Sequence, residues 1–331
     1  MRISETTSMQ QIKKLIKTLK NRERNFIQAH NFPDHDAVAS TFGLQYLLRS
    51  CKIESTIIYH GEILRDSLKK MINRLKIEIL PHYKYKLNEN DTIIIVDANK
   101  KNRNVAALKG NVAAVIDHHP GESYDDLDFC DIRSDYGACS TIIFSYFAEL
   151  QLEPSAEVAT ALHIGICFDT HQFSRNVNPL DIETTALLYR VSDSELVSSL
   201  VRNSITIEDF KYYRFLLDNV RIEKDFAFCH FNNGCNKDLL AILADYLLSA
   251  KEIKFALLST KLSGEIAFCA RSEMPELPAN TAIQKLLSGI GSGGGHFDMA
   301  GGRISDPKDF NPETIFKAAF SLTKNKDKFI S

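Results

Sequence analysis

The sequence has no excess of charge of one sign. Its 331 residues include 40 Lys and Arg against 42 Asp and Glu, which gives a formal net charge of −2. Tight, non-specific binding to nucleic acid requires a field of positive charge, so this balance excludes a protein that holds long duplexes by charge alone. An anionic substrate would have to be bound by a local site.

Long apolar runs and paired cysteines are also missing. No stretch reaches the roughly 18 apolar residues that cross a membrane, and the first residues lack the apolar core of a signal peptide. The seven cysteines are scattered without a CxxC pair, which favours reduced, buried thiols over a disulfide framework. We therefore expect a soluble, cytoplasmic protein without membrane partners.

Apolar strands alternate with helical patterns in the first half of the chain. Such alternation predicts an α/β fold with a doubly wound, mainly parallel sheet that helices cover on both faces. The predicted strands are 26–29, 55–59, 92–98 and 112–119, and the predicted helices are 37–48, 141–150 and 156–168.

The length of the chain exceeds what one hydrophobic core usually supports, which predicts two domains. Residues 1–190 are expected to form the first domain, and the mostly helical, charged residues 191–220 a linker. Residues 221–331 are expected to form a smaller α/β domain that faces the first across a cleft. This second part contains the glycine-dense stretch GSGGGHFDMAGG at 291–302.

Four polar clusters each follow an apolar strand or helix. They are His30 with Asp34 and Asp36, then Asp97, then Asp117 with His118 and His119, and finally Asp169. Ligands of doubly wound sheets collect at the carboxyl ends of the strands, so the clusters are expected to converge. A lone aspartate after a strand is more often a helix N-cap or a turn residue than a metal ligand, and it is the combination of four clusters that favours a metal site.

The composition of the four clusters suits two divalent cations. Carboxylates with one or two imidazoles match Mn²⁺ or Mg²⁺, whereas structural zinc would be expected to recruit cysteines. Without cations the clustered carboxylates would repel one another strongly. A pair of such metals binds a phosphate and activates a water, which indicates hydrolysis of phosphoesters or phosphoanhydrides.

The glycine-dense stretch is a separate candidate site. Consecutive glycines let backbone N–H groups approach an anion, and a helix that starts after them would add a favourable dipole. Gly294, Gly295 and His296 are therefore candidate phosphate contacts, with Arg271 as a second anion contact. A flexible turn is the alternative interpretation.

The four clusters, taken in order, resemble the motifs of the DHH phosphoesterase superfamily. The first motif, a His before an NPDxDA-like run, is matched by His30, Asn31, Pro33, Asp34, Asp36 and Ala37; the others are matched by Asp97, by Asp117–His118–His119, and by Asp169 with Thr170. The glycine stretch resembles the GGGH signature of the DHH-associated domain, found in RecJ-like exonucleases and NrnA-like oligoribonucleases. His35 departs from the pattern, since a small residue is frequent there.

The resemblance implies a role for each site residue. His30, Asp34 and Asp97 would hold the first metal, and Asp36, Asp97, His118 and Asp169 the second. His119 would face the scissile phosphate, and Asp117 would orient the neighbouring histidine. Arg271, Gly294, Gly295 and His296 would bind the substrate's other nucleotide or its terminal phosphate.

The resemblance also implies a function. We expect a Mn²⁺-dependent phosphodiesterase that hydrolyses short oligoribonucleotides or dinucleotides to mononucleotides, with cyclic dinucleotides and 3′-phosphoadenosine 5′-phosphate as related substrates. An inorganic pyrophosphatase or polyphosphatase is one alternative, and a non-catalytic nucleotide-binding module is another. A homodimer is compatible with the sequence, although nothing in the sequence requires one.

Overall fold

The computed structural model describes residues 11–63, 65–100, 104–121, 123–202, 205–295 and 297–324. The chain divides into two compact units, residues 1–204 and 205–331. His296, one of the predicted phosphate contacts, lies outside the described residues.

The first unit is built on a six-stranded sheet. Its strands are β1 (Asn25–Gln28), β2 (Thr56–Tyr59), β3 (Ile79–Pro81), β4 (Thr92–Val96), β5 (Asn111–Asp117) and β6 (Phe129–Ile132). They lie in the order β3-β2-β1-β4-β5-β6, and every neighbouring pair is parallel. The predicted parallel α/β sheet is confirmed. Apolar runs such as the TIIIV of β4, buried along its whole length, fit a strand that is covered on both faces.

The first unit also contains seven helices within its described residues. They are α1 (Gln11–Leu19), α2 (His35–Ser50), α3 (Asp66–Leu75), α4 (Cys139–Leu150), α5 (Ala156–Asp169), α6 (Pro179–Tyr189) and α7 (Ser194–Val201). α2 and α5 begin at side-chain caps, because Asp34 accepts a hydrogen bond from Ala37 N and Ser155 accepts one from Val158 N.

The two faces of the first sheet are covered differently. On one face Ile27, Ile94 and Ile116 pack against the helices. On the other face, around β4 and β5, Ile93 and its neighbours pack on loop side chains such as Leu108. Helices on both faces were expected; in the described residues, the connections from β4 to β5 and from β5 to β6 hold no helix.

The second unit has three layers around a second six-stranded sheet. Its strands are β7 (Arg221–Glu223), β8 (Phe226–Phe231), β9 (Phe255–Leu262), β10 (Glu265–Ser272), β11 (Ser292–Gly295) and β12 (Met299–Ile304), and its helices are α8 (Phe210–Asn219), α9 (Lys237–Leu248), α10 (Ala279–Leu286) and α11 (Pro312–Lys324). The strand order is β11-β12-β10-β9-β8-β7, antiparallel except between β8 and β9. One face packs on α10 and α11, and the other on α8 and α9.

The segment predicted as a linker, 191–220, contains α7 and α8. α7 buries Leu196, Val197 and Leu200 in the core of the first unit. α8 buries Leu216 in the second unit. The segment is therefore divided, with α7 packed on the first unit and α8 packed on the second.

The glycine-dense stretch forms a β-hairpin rather than a loop before a helix. β11 pairs antiparallel with β12, so Gly294 faces Gly301 and Gly295 faces Ala300 across the ladder. The expectation that a helix start follows the glycines was wrong, because the chain turns back into a strand.

None of the helices in the described part of the chain combines the length and the apolar character that crossing a lipid bilayer requires.

Candidate metal centre

The predicted ligands lie where the strands of the first unit end. His30 follows β1, Asp97 follows β4 directly, and Asp117 is the last residue of β5. β1 lies between β2 and β4, so the chain winds away from this point in both directions along the sheet. Such a switch point is where doubly wound sheets bind their ligands, because the loops that leave it diverge and open a crevice.

The helices supply the remaining carboxylates. Asp34 caps α2, Asp36 lies in its first turn, and Asp169 is the last residue of α5. Asp97 has a φ of +60°, a left-handed conformation that is uncommon outside glycine. Backbone of this kind is concentrated at functional sites, where surrounding contacts hold it in place.

The side chains of these residues meet. His30 Nε2 lies 3.6 Å from Asp34 Oδ2 and 3.8 Å from Asp97 Oδ2. His118 Nε2 lies 3.4 Å from Asp97 Oδ1 and 3.1 Å from Asp169 Oδ2. Three groups of possible ligand atoms, each within 4.8 Å, result: His30–Asp34–Asp97, Asp36–Asp97–His118–Asp169, and Asp97–His118–His119.

Two buried polar atoms test whether this centre fits a cation. Asp97 Oδ1 and His118 Nε2 are buried, and neither has a hydrogen-bond partner of normal geometry in the described part of the chain. Buried polar atoms are almost always satisfied in folded proteins. Both belong to residue types that bind Mn²⁺ and Mg²⁺, so the residues fit a divalent cation.

The pKa values of the centre show how its charges interact. Burial, followed by the charges of Asp36 and Asp34, raises the pKa of Asp97 well above its ordinary value. Burial and the Asp169 carboxylate raise the pKa of Asp36 to about 7. Burial alone would lower the pKa of His118, but Asp169 and Asp36 raise it to about 10. Protons therefore balance the clustered charge when no cation is bound.

His30 and Asp34 form a histidine–carboxylate ion pair within the centre. Burial opposes both shifts, yet the contact with Asp34 raises the pKa of His30, and the same contact holds the pKa of Asp34 well below its ordinary value. The pair is thus stabilised in its charged form.

Asp36 is held by the start of α4. Its Oδ2 accepts from Cys139 N at 2.6 Å, and its Oδ1 accepts from Ser140 N at 3.0 Å and from the Ser140 hydroxyl. A carboxylate is favourable there because the first amides of a helix are otherwise unpaired. The sequence reasoning missed Cys139 and Ser140; the helical pattern that follows SDYGACS was the available signal.

The two adjacent histidines are oriented by different partners. Asp117 Oδ1 contacts His119 Nδ1 at 2.7 Å and accepts from the His119 backbone N–H at 3.1 Å. His118 Nδ1 instead lies 3.1 Å from the carbonyl oxygen of Tyr136. That Asp117 orients the neighbouring histidine stays a prediction; in the structure its carboxylate contacts His119, the second of the pair.

His35 lies between the candidate ligands Asp34 and Asp36 in the sequence, and its side chain is buried. Its ring stacks on Phe168, with centroids 3.5 Å apart and an angle of 4° between the ring planes. Neither ring nitrogen has a hydrogen-bond partner among the described residues. Burial, followed by the charge of Arg65, lowers the pKa of His35 to about 3, so the ring is neutral at physiological pH.

The described substrate candidates lie in the second unit. Arg271 is only 6% exposed and its guanidinium pairs with Asp245 at 2.6 Å, so its charge is already balanced. A side chain at Gly295, where φ is +150°, would meet Ala300 Cα at 2.6 Å, whereas one at Gly294 would meet nothing within 4 Å. The fold therefore requires glycine at 295 but leaves space at 294.

Comparison with known proteins now identifies the family. The model of the DHH family N-terminal domain matches residues 24–166, and that of the DHHA1 domain matches residues 223–322. The chain belongs to the DHH superfamily of phosphoesterases. The first match contains all the candidate metal ligands except Asp169, and the second contains the hairpin β11–β12.

Related DHH proteins differ in length. An uncharacterised protein from Methanocaldococcus jannaschii is 31% identical over 293 residues, which are 88% of this chain but only 59% of that protein. A probable bifunctional oligoribonuclease and PAP phosphatase, NrnA, from Streptococcus mutans is 26% identical over 225 residues, 66% of this chain and 69% of that protein. An exopolyphosphatase-related protein from Bacteroides fragilis has the same fold, with a TM-score of 0.79 and 22% identity. The match covers 99% of this chain and 100% of that chain.

Proposed function

We propose that this DHH-superfamily protein is a two-metal phosphodiesterase that hydrolyses short oligoribonucleotides or dinucleotides to mononucleotides. The position of Asp97 carries the proposal. Its two carboxylate oxygens face different histidines, Oδ2 toward His30 and Oδ1 toward His118. One carboxylate is thereby shared between two groups of ligand atoms, as a bridging ligand requires.

In this proposal two groups of side chains would each hold one cation. His30, Asp34 and Asp97 hold one cation, and Asp36, Asp97, His118 and Asp169 hold the other. Mn²⁺ or Mg²⁺ held by these residues would supply Lewis acidity and a more acidic water. The orientation of the ligands comes from the residues behind them, such as the α4 amides that hold Asp36.

His119 is the proposed contact to the scissile phosphate. Its Nδ1 lies 2.7 Å from Asp117 Oδ1, and Asp117 is completely buried at the end of β5. A buried carboxylate fixes the proton of the histidine on Nδ1 and prevents the ring from rotating. With Nδ1 directed to Asp117, Nε2 is the ring nitrogen proposed to contact the substrate.

The second unit is proposed to bind the rest of the substrate. The space beside Gly294 allows a phosphate to approach the backbone of β11. Arg271 and Gly295 are included in the proposed binding surface, and His296 is included from its sequence motif. The NrnA relative supports a short nucleotide substrate, including 3′-phosphoadenosine 5′-phosphate. Pyrophosphate and polyphosphate are the alternative substrates. They carry no nucleoside for the second unit to bind, and the candidate metal ligands all lie in the first unit.

A substrate panel tests the proposal. Mononucleotide or phosphate release is measured with Mn²⁺ from RNAs of two to five residues, a cyclic dinucleotide, 3′-phosphoadenosine 5′-phosphate and pyrophosphate. We expect the short RNAs or dinucleotides to be hydrolysed fastest, and His119→Ala to remove turnover. The matched control is His163→Gln, because His163 lies in α5 and bonds Ser192 rather than the metal centre. Turnover that survives in His119→Ala, or preference for pyrophosphate, would contradict the proposal.

A further inference from the structure

Four aromatic side chains lie together beside the metal centre. Phe32 follows β1, His60 follows β2, and His82 and Tyr83 follow β3. These three strands are neighbours and parallel, so their carboxyl ends lie at the same edge of the sheet as Asp97. We call Phe32, His60, His82 and Tyr83 the aromatic edge.

Direct contacts connect the members of the aromatic edge. His60 Nδ1 lies 2.9 Å from His82 Nε2, and the two rings are 5.1 Å apart between centroids. His82 meets Tyr83 edge to face, with centroids 6.1 Å apart. Phe32 is connected to the cluster through the backbone, because its N–H donates to the His60 carbonyl oxygen at 2.9 Å.

The two largest rings of the aromatic edge are strongly exposed. Phe32 is 57% exposed and Tyr83 is 69% exposed. Single exposed apolar residues are normal on protein surfaces, but a cluster of rings beside a candidate active site is a feature of ligand-binding surfaces. The rings contribute little to the core, so packing does not account for them.

The backbone holds Phe32 in its exposed position. Its φ is +54°, a left-handed conformation that a bulky residue adopts at a cost. The ring lies against Gly61, where a Cβ atom would approach Phe32 Cδ1 to 2.8 Å. Strain that keeps an apolar ring at the surface, two residues from both His30 and Asp34, points to a role in binding.

We propose that the aromatic edge stacks on a nucleobase of the substrate whose phosphate is bound at the metal centre. The inference rests on the proposed nucleotide substrate. Flat aromatic rings stack on any base, because every base has a π-face. Phe32 lies in the loop between the ligands His30 and Asp34, so base and phosphate of one nucleotide reach adjacent surfaces. Lys84, whose Nζ is 6.0 Å from the Tyr83 ring centroid, adds a positive charge for the substrate backbone.

Fluorescence of a dinucleotide that carries 2-aminopurine tests the inference, because stacking on an aromatic ring quenches this base. The full chain is mixed rapidly with increasing amounts of the dinucleotide in Mg²⁺, and the quenching is read before hydrolysis can consume the probe. We expect quenching by the wild type, about tenfold weaker binding with less quenching in Phe32→Ala and in Tyr83→Ala, and recovery in Phe32→Trp. Tyr189→Ala is the matched control, since Tyr189 is a 60% exposed aromatic residue on α6.

The outcomes separate this inference from the proposed function. Mn²⁺-induced thermal stabilisation, measured on the same samples, is expected to be unchanged in the aromatic variants. Quenching that Phe32→Ala and Tyr83→Ala abolish, without turnover of any nucleotide, would support the aromatic edge and contradict the phosphodiesterase. Turnover with equal quenching in all variants would overturn the aromatic edge alone. Absence of binding would also overturn the stacking proposal. So would a dimer that the two substitutions disrupt while the quenching persists.

Discussion

At the scale of single residues, Asp97 is the most widely shared member of the candidate metal centre. Its carboxylate is common to all three groups of ligand atoms, and its charge is disfavoured by burial and by Asp36 and Asp34. Asn is the suitable replacement, because Asn tolerates the left-handed backbone that this position requires. The substitution removes the charge and keeps the shape.

For Asp97→Asn we predict that the protein still folds but is no longer stabilised or activated by Mn²⁺. Mn²⁺ at about a hundredfold excess over its Kd should raise the unfolding free energy of the wild type by ~2.7 kcal/mol, and that of the variant hardly at all. Hydrolysis should fall on the order of a thousandfold, because transition-state stabilisation of several kcal/mol is lost with the metal. Urea unfolding with and without Mn²⁺, together with an activity assay, measures both.

The control for this prediction is Asp91→Asn. Asp91 is also a buried aspartate, but it precedes β4 at the opposite end of the strand and pairs with Arg24 at 3.3 Å. This variant should be destabilised and still respond to Mn²⁺. Equal responses to Mn²⁺ in the two variants would remove Asp97 from the proposed centre.

His35 allows a second prediction about a single residue. Its pKa is lowered to about 3 by burial and Arg65, so the folded protein keeps the ring neutral where the unfolded chain, with a pKa near 6.5, binds a proton. Stability that depends on this ring is complete above pH 6.5 and falls as the pH falls. Between pH 6.5 and 5 the loss should be ~2 kcal/mol.

We predict that His35→Phe removes this acid sensitivity and is neutral or stabilising at pH 7.5. Phe keeps the stack on Phe168 and eliminates two buried nitrogens that lack hydrogen bonds among the described residues. Urea unfolding of metal-free wild type and variant at pH 7.5 and pH 5 is the measurement. The same pH dependence in both proteins would show that His35 does not remain neutral.

At the scale of elements, the metal centre depends on how closely α2, α4 and α5 pack. Gly165 of α5 lies against Asp36 of α2, and a Cβ atom there would come within 2.7 Å of Asp36 Oδ1. The same oxygen accepts from the first turn of α4. A glycine in the helix interior, where it costs stability relative to alanine, is therefore explained by the space that the Ser140 hydroxyl and the Asp36 carboxylate bonded to it need.

For Gly165→Ala we predict that the affinity for Mn²⁺ falls about tenfold or more, because the added methyl group displaces the Asp36 carboxylate. Gly43→Ala is the control: its Cβ would lie 3.0 Å from Ile143 Cγ2 and Leu162 Cδ2, which are apolar side-chain ends. Both variants should lose ~1–3 kcal/mol through overpacking. Calorimetric titration with Mn²⁺ distinguishes them, and equal affinities would contradict the role given to Gly165.

At the scale of the whole molecule, the charge of the centre links metal binding to pH. The pKa values of Asp36, about 7, and of His118, about 10, are both raised. The metal-free folded protein therefore holds more protons than the unfolded chain, and its stability falls as the pH rises through these values. A cation displaces these protons, so its affinity rises over the same range.

We predict that the increase in Tm caused by Mn²⁺ grows from pH 6 to pH 8. Each proton released per bound cation should change the affinity by about tenfold per pH unit. Thermal unfolding at several pH values, with Mn²⁺ and with a chelator, measures the difference. A pH-independent increase would mean that Asp36 and His118 are not the groups displaced.

The sequence by itself determined the fold class of the first unit and predicted that its polar clusters meet at the ends of the strands. The near-continuous apolar runs of Thr92–Val96 and Asn111–Asp117 favour burial, and buried strands that alternate with helices are typical of parallel sheets. Parallel strands bring their carboxyl ends to one edge, so Asp97 and Asp117 were expected to meet the histidines. The sequence contains this information because a residue that directly follows a strand lies at the carboxyl end of that strand.

Only the tertiary structure decided how the side chains pair. The contact of Asp117 with His119, the α4 amides on Asp36, and the pairing of Arg271 with Asp245 all join atoms whose approach depends on packing. The glycine stretch became a hairpin because β12 pairs with it, a non-local interaction that composition does not show. The aromatic edge likewise collects residues from three separate loops, and the order of the strands in the sheet places them together.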